Sequence, residues 1–248
     1  MEKAVEGCDF VGHTASPATI NKPKHEDDLI KPAVEGTLAI LRACDRYRVK
    51  RLVITSSIAA IYTQFPENMK ETYSEADWSE VSLVSAYEKS KILAERAAWE
   101  FVHDLPLERR FELVTLQPSL VLGPAAVPAT DSSAEFIRRL LVSAYPGMPK
   151  TMIGVVDVRD VSLAHLRAIK YPEAANKRIL INADSLWITD IARVLAKEYP
   201  DLNVTTREFG YCPIKMMSYI DNSVGMILPI WAKVIRFDNS LSRNVLGI

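Results

Sequence analysis

Residues 51–57 read Arg-Leu-Val-Ile-Thr-Ser-Ser, a run whose apolar middle is continuous rather than alternating. A strand with water on one face alternates apolar and polar side chains, so an unbroken run points to a strand covered on both faces, as in parallel sheets. The segments around it agree. Residues 10–15 (Phe-Val-Gly-His-Thr-Ala) form a short β-prone run closed by Ser16-Pro17. Between the two runs, Glu26, Asp27 and Asp28 precede a helical repeat through Leu29, Ile30, Ala33, Val34, Thr37, Leu38 and Leu41. The acids would sit at the positive end of that helix, and Pro32 starts or kinks it. Strand, helix, strand is a βαβ unit.

A polar loop over 64–80 leads to a second unit. Ser85 with Glu88 three residues on reads as a capping box. It opens a helix whose apolar members Ile92, Leu93, Ala94, Ala97, Ala98, Phe101 and Val102 extend to about His103. Residues 112–117 form the next strand, ended by Pro118. The alternation predicts an α/β fold with a doubly wound, Rossmann-like parallel sheet. After Pro118 the texture changes. Residues 121–128 are a turn-rich crossing, followed by a helix over 134–144 and a short strand over 153–156. A helix capped by Asp160 then runs through Leu163, Leu166 and Ile169, before a strand over 178–182 and an amphipathic helix over 188–199 closed by Pro200. This second half reads as a smaller lobe interleaved with the last sheet elements.

Composition narrows the partners. Among 248 residues, 30 are Lys or Arg and 31 are Asp or Glu, so no field of one sign exists to attract nucleic acid or an anionic membrane. Cys8, Cys44 and Cys212 form no C-x-x-C pair, which argues against a disulfide framework or zinc ribbon and for a reducing compartment. His13, His25, His103 and His165 have no metal-ligand spacing, so no metal is expected. The start of the chain carries no apolar signal region, and the longest apolar stretch, 224–235, contains Lys233 and is about half a membrane span. These features point to a soluble, cytoplasmic protein acting on a small molecule.

Tyr87 and Lys91 stand four apart at the start of the capped helix, so phenol and ammonium share one face. That is an acid/base pair in form. Tyr211 and Lys215 repeat the spacing, but Pro213 lies between them and makes a continuous helical face there unexpected. Ser56 and Ser57 end a buried parallel strand, where open α/β sheets place ligands; small hydroxyls also end strands and cap turns without further purpose. Taken alone, a tyrosine such as Tyr87 is more often a packed, half-buried ring, and Trp78 and Tyr62 carry the same reading.

Thr55-Ser56-Ser57 followed by Tyr87-x-x-Ser90-Lys91 resembles the extended short-chain dehydrogenase/reductase family. More narrowly, His13-Thr14-Ala15-Ser16-Pro17, Pro32-Ala33-Val34-Glu35-Gly36-Thr37, Gln117-Pro118-Ser119 and Val156-Asp157-Val158-Arg159-Asp160-Val161 resemble its branch of dihydroflavonol reductases and cinnamoyl-CoA reductases. Sugar epimerases of the family usually carry asparagine where this chain has Ala33, which favours the reductase branch.

The resemblance implies an NAD(P)-dependent oxidoreductase that reduces a small carbonyl substrate, with Tyr87 as proton donor, Lys91 supporting the phenolate and the nicotinamide ribose, and Ser57, rather than Ser56, holding the substrate oxygen. Pro118, Ser119 and Leu120 would line the nicotinamide side and Ala15 and Ser16 the adenosine half, with NADP the branch's usual cofactor and NAD an alternative. Residues 1–120 would be the remainder of the dinucleotide-binding domain with the catalytic residues, and 121–248 mainly the substrate-binding lobe.

One departure matters. Relatives begin with a strand and a Gly-x-x-Gly-x-x-Gly turn that cradles pyrophosphate on a helix N-terminus. The nine glycines here include no two that lie three apart. The expectation is a chain lacking its first strands, about two βα units, with the 10–15 strand left as an exposed edge open to pairing with another copy. A non-catalytic binding or regulatory remnant, a sugar-nucleotide epimerase and a steroid dehydrogenase are the alternatives.

Overall fold

A computed structural model describes residues 2–17, 23–125, 132–144, 146–219 and 228–248. A short helix α1 (Glu2–Val5) leads into strand β1 (Phe10–His13), helix α2 (Asp27–Arg46) and strand β2 (Arg51–Thr55). A two-residue strand β3 (Thr72–Tyr73) lies in the loop before helix α3 (Ala86–Asp104), and strands β4 (Glu112–Pro118) and β5 (Leu120–Leu122) follow. Then come α4 (Ser132–Leu141), β6 (Met148–Pro149), β7 (Met152–Asp157), α5 (Val158–Lys170), β8 (Lys177–Ile181) and β9 (Asp184–Trp187). The remaining helices and strands among the described residues are α6 (Ile188–Glu198), β10 (Glu208–Phe209), α7 (Tyr211–Met217), β11 (Arg236–Phe237) and α8 (Ser240–Leu246).

The main sheet has the order β1-β2-β4-β8, and each adjacent pair is parallel. Because successive side chains on a strand point to opposite faces, residue parity assigns each to one layer. Leu52 and Ile54 of β2 and Leu113 of β4 pack with Leu41 and Cys44 of α2 and Ala98 and Val102 of α3. Val53, Val114, Leu116, Ile179 and Ile181 pack the other way, on Ala164 and Ala168 of α5 and Leu246 of α8. Both faces are therefore covered, which is why the central strands are uniformly apolar in sequence. β1 lies at one edge, and its first residue, Phe10, is 45% exposed.

A separate three-stranded sheet, β5-β7-β9, pairs β5 parallel and β9 antiparallel to β7. The Leu140, Met148, Ile188, Ile191 and Ala192 side chains build a core of their own beside it.

Several local expectations are corrected. The 10–15 run pairs only through His13. Pro32 lies inside α2, which begins at Asp27. Asp157, not Asp160, caps α5: its carboxylate accepts the Arg159 N–H at 2.8 Å, which places Asp160 in the first turn. The polar loop over 64–80 contains β3, which pairs parallel with β11 more than 150 positions later. The turn-rich crossing holds β5 in its described part, while 126–128 lie outside the described residues.

Tyr211–Met217 is helical despite Pro213. Pro213 is the third residue of that helix, where a backbone N–H has no intrahelical acceptor to lose, so the proline is tolerated.

Candidate active site

The carboxyl ends of β1 and β2 and the first turns of α3 meet around a narrow cavity lined in part by His13, Ala15, Ser16, Ser56, Lys91 and Glu95. The start of α3 is fixed by its own sequence. Ser85 accepts the Glu88 N–H, and the Glu88 carboxylate accepts the Ser85 N–H at 2.8 Å, a complete capping box. Tyr87 and Lys91 therefore project from the first two turns, with the ammonium 5.8 Å from the centroid of the phenol ring.

Lys91 is 8% exposed, and among the described residues no hydrogen bond or ion pair reaches its ammonium. Burying a cation without a partner is costly, and burial accordingly holds this amine below its ordinary value. Tyr87 moves the other way: burial first, and the Glu88 carboxylate second, hold its phenol above the ordinary value. The lowering of the phenol expected from Lys91 is not found: both influences on Tyr87 raise it. His13 is held below its ordinary value by burial and then by the charge of Lys91.

The two serines after β2 are in different situations. Ser56, buried, donates its hydroxyl to Glu95. Ser57 accepts the Ala59 N–H at 3.1 Å and so caps a short 3-10 turn, which leaves its own proton uncommitted. Thr55 faces the opposite layer, where its hydroxyl lies 2.7 Å from His165 Nε2 while Nδ1 donates to the Val161 carbonyl.

Ala15 and Ser16 line the cavity with Lys91. Pro118, Ser119 and Leu120 lie at the end of β4 and the start of β5, and are not among the residues lining that cavity. Ser119 is 6% exposed; its N–H donates to the Ile181 carbonyl, but among the described residues its hydroxyl has no partner.

Sequence reasoning missed Glu95. This side chain is 1% exposed and accepts from Ser56, from Thr115 at 3.0 Å, from Gln117 at 2.7 Å and from Arg178 Nε at 2.7 Å. Its signal was present: an acid within the apolar stripe of Ile92, Ala94 and Ala98, four residues after Lys91. Sheet parity does the rest, since Ser56, Thr115, Gln117 and Arg178 all point to the α3 layer.

An open parallel sheet with tyrosine and lysine one turn apart beside its strand ends is the arrangement of the short-chain dehydrogenases/reductases, and comparison with known proteins places the chain among the extended ones. The chain belongs to the 3-beta hydroxysteroid dehydrogenase/isomerase family, whose model matches residues 1–219. It is 31% identical over 231 residues to an anthocyanidin reductase of Vitis vinifera, covering 87% of this chain and 67% of that one. It is 33% identical over 211 residues to cinnamoyl-CoA reductase 1 of Arabidopsis thaliana, covering 84% of this chain and 59% of the relative. Yeast methylglyoxal/isovaleraldehyde reductase Gre2, solved in complex with NADPH, superposes with a TM-score of 0.79 at 28% identity, over 100% of this chain and 73% of its own. Among the described residues, no helix is long and apolar enough to cross a membrane.

Proposed function

We propose that this protein reduces the carbonyl group of a small organic molecule with a nicotinamide cofactor, NADP ahead of NAD, and that Tyr87 is the proton donor. The observation that carries the reading is Lys91 at the strand ends, 8% exposed, whose ammonium lies 5.8 Å from the Tyr87 ring and has no hydrogen bond or ion pair among the described residues. Among the described residues no acceptor reaches this ammonium, and ribose hydroxyls are suitable ones. The orphan Ser119 hydroxyl at the end of β4 fits the same group. The residues present thus suit the nicotinamide half of a dinucleotide, while no glycine-rich turn in this sequence offers a pyrophosphate cradle. Lys91 would hold the ribose, Pro118, Ser119 and Leu120 the nicotinamide side, and Ala15 and Ser16 the adenosine half. The NADPH in the Gre2 structure supports the choice of NADP.

When bound, the reduced cofactor supplies a hydride to the carbonyl carbon. Ser57, whose oxygen already accepts from Ala59, donates its free proton to the carbonyl oxygen and polarises it. Tyr87 gives its proton to that oxygen as the alcohol forms. An unperturbed phenol has a pKa near ~10, so at neutral pH it is protonated, and burial in this site reinforces that state. The phenolate left behind is stabilised by Lys91. The second half of the chain, 121–248, would supply most of the substrate contacts.

A second reading is a non-catalytic binding protein of the same fold. Purified protein should be given NADPH with a panel of aldehydes, ketones and acyl thioesters, plus a steroid ketone and a sugar nucleotide, and cofactor consumption followed. The proposal expects consumption with a carbonyl substrate that falls by about 10²-fold or more in Tyr87→Phe. Ligand binding that is identical in Tyr87→Phe, with no turnover in either protein, would establish the second reading instead.

A further inference from the structure

Glu95 and Lys91 stand at i and i+4 on α3 and line the same cavity, a spacing at which carboxylate and ammonium ordinarily meet. They do not pair. The carboxylate is turned to the sheet, where one oxygen accepts from Thr115, Gln117 and Arg178 and the other from Ser56. Arg178 supplies the only positive charge in that set, and its Nε lies 2.7 Å from the carboxylate. The guanidinium is itself held from elsewhere: it stacks 3.7 Å above the Trp78 ring and donates to the Glu75 and Asp77 carbonyls, the latter at 2.8 Å. Three strands and one loop thus take part in keeping a single carboxylate away from a neighbouring lysine.

We propose that Arg178 is a positioning residue of the candidate site: by holding Glu95 on the sheet, it leaves Lys91 unpaired and free for the phenol and the cofactor. This rests on the reading of Tyr87 and Lys91 as the acid/base pair, but its physical core, the freedom of Lys91, can be measured without turnover. The charged or titratable groups facing Lys91 are His13 from β1 and Tyr87 and Glu95 from its own helix, with Thr37 and Ser56 completing the polar surroundings. Glu88 acts on Tyr87 rather than on Lys91.

The test is the pH dependence of amine labelling at Lys91, read by peptide mass spectrometry on the full chain, in wild type, Arg178→Gln, Glu95→Gln and the double variant. Releasing Glu95 to Lys91 should raise the labelling midpoint in Arg178→Gln by about one pH unit, the size expected for a new opposite charge within hydrogen-bonding reach. The double variant removes the carboxylate and should return the midpoint to the wild-type position, a rescue that simple loss of packing would not produce. Glu95→Gln alone should leave the midpoint within roughly 0.3 units of wild type, because the carboxylate is already neutralised. A drop of a unit or more in Glu95→Gln, or a rise in Arg178→Gln that the double variant retains, would overturn the proposal. If Arg178→Gln does not fold, the Glu95→Gln result decides alone. Absence of reductase activity with the predicted Lys91 shifts would defeat the reductase reading while leaving the positioning role standing.

Discussion

The chain contains the same pentapeptide spacing twice, Tyr87 to Lys91 and Tyr211 to Lys215, and both copies are helical. What separates them is where the helix is anchored. The first begins at a capping box, packs on β2 and β4 and buries its lysine. The second is seven residues long, with Tyr211 43% exposed against the edge of Trp231 and its lysine in solvent. Side-chain spacing sets which groups can meet, but the layer beneath the helix shifts their ionisation: burial raises the value of the Tyr87 phenol and lowers that of the Lys91 amine.

The sharpest way to break this contrast is to remove each lysine. Lys91→Met should lower carbonyl reduction by about 10³-fold, within the range of acid–base contributions, whereas Lys215→Met should change it less than about twofold. A large loss from Lys215→Met would show that burial is not what distinguishes the copies.

The serines after β2 come next. Ser57→Ala should reduce turnover by about 10²-fold, the usual loss for one donor to a developing oxyanion, while losing the cap of its short turn should cost only about 0.5–1 kcal/mol of stability. Ser56→Ala takes a donor from the buried Glu95 carboxylate and should cost about 1.5–3 kcal/mol in denaturant unfolding. Exchange of those two phenotypes would assign the substrate oxygen to Ser56.

Much of this was readable before any coordinates. The continuous apolar run of β2 predicts a strand covered on both faces, and Ser85 with Glu88 predicts where α3 begins; both depend on local chemistry that the structure retains. The pairing of β3 with β11 was not readable, because two-residue strands far apart in sequence leave no periodicity. Pro213 misled for a related reason: its effect depends on its place within the helix, and only the boundary at Gly210 reveals that. At the site, Tyr87 and Lys91 stand out by residue type and spacing, and Ser57, rather than Ser56, only by the family resemblance. Glu95 and Arg178 did not, since their importance comes from strand parity across three strands, which a linear pattern does not display. His13 looked unremarkable until β1 placed it beside Lys91.

Smaller effects sharpen the comparison of the two helices. Ser85→Ala removes a helix cap and should cost about 1 kcal/mol, while Pro213→Ala, in a first turn, should change stability by less than about 0.5 kcal/mol. Equal costs would mean that the two helix starts are held alike.

The smallest expected effect concerns His13. Its folded value is lowered, so its contribution to stability is present above the unfolded value near ~6.5 and lost as pH falls through the lowered one. Thermal melts between roughly pH 7 and pH 5 should therefore decline more steeply in wild type than in His13→Gln, and parallel slopes would remove His13 from the account.

The most direct test is a side-by-side comparison of Tyr87→Phe and Tyr211→Phe in NADPH-dependent carbonyl reduction. Each substitution removes one hydroxyl and leaves its ring. The account predicts a loss of about 10²-fold or more at Tyr87 and a change within about twofold at Tyr211. Retained turnover in Tyr87→Phe would contradict it.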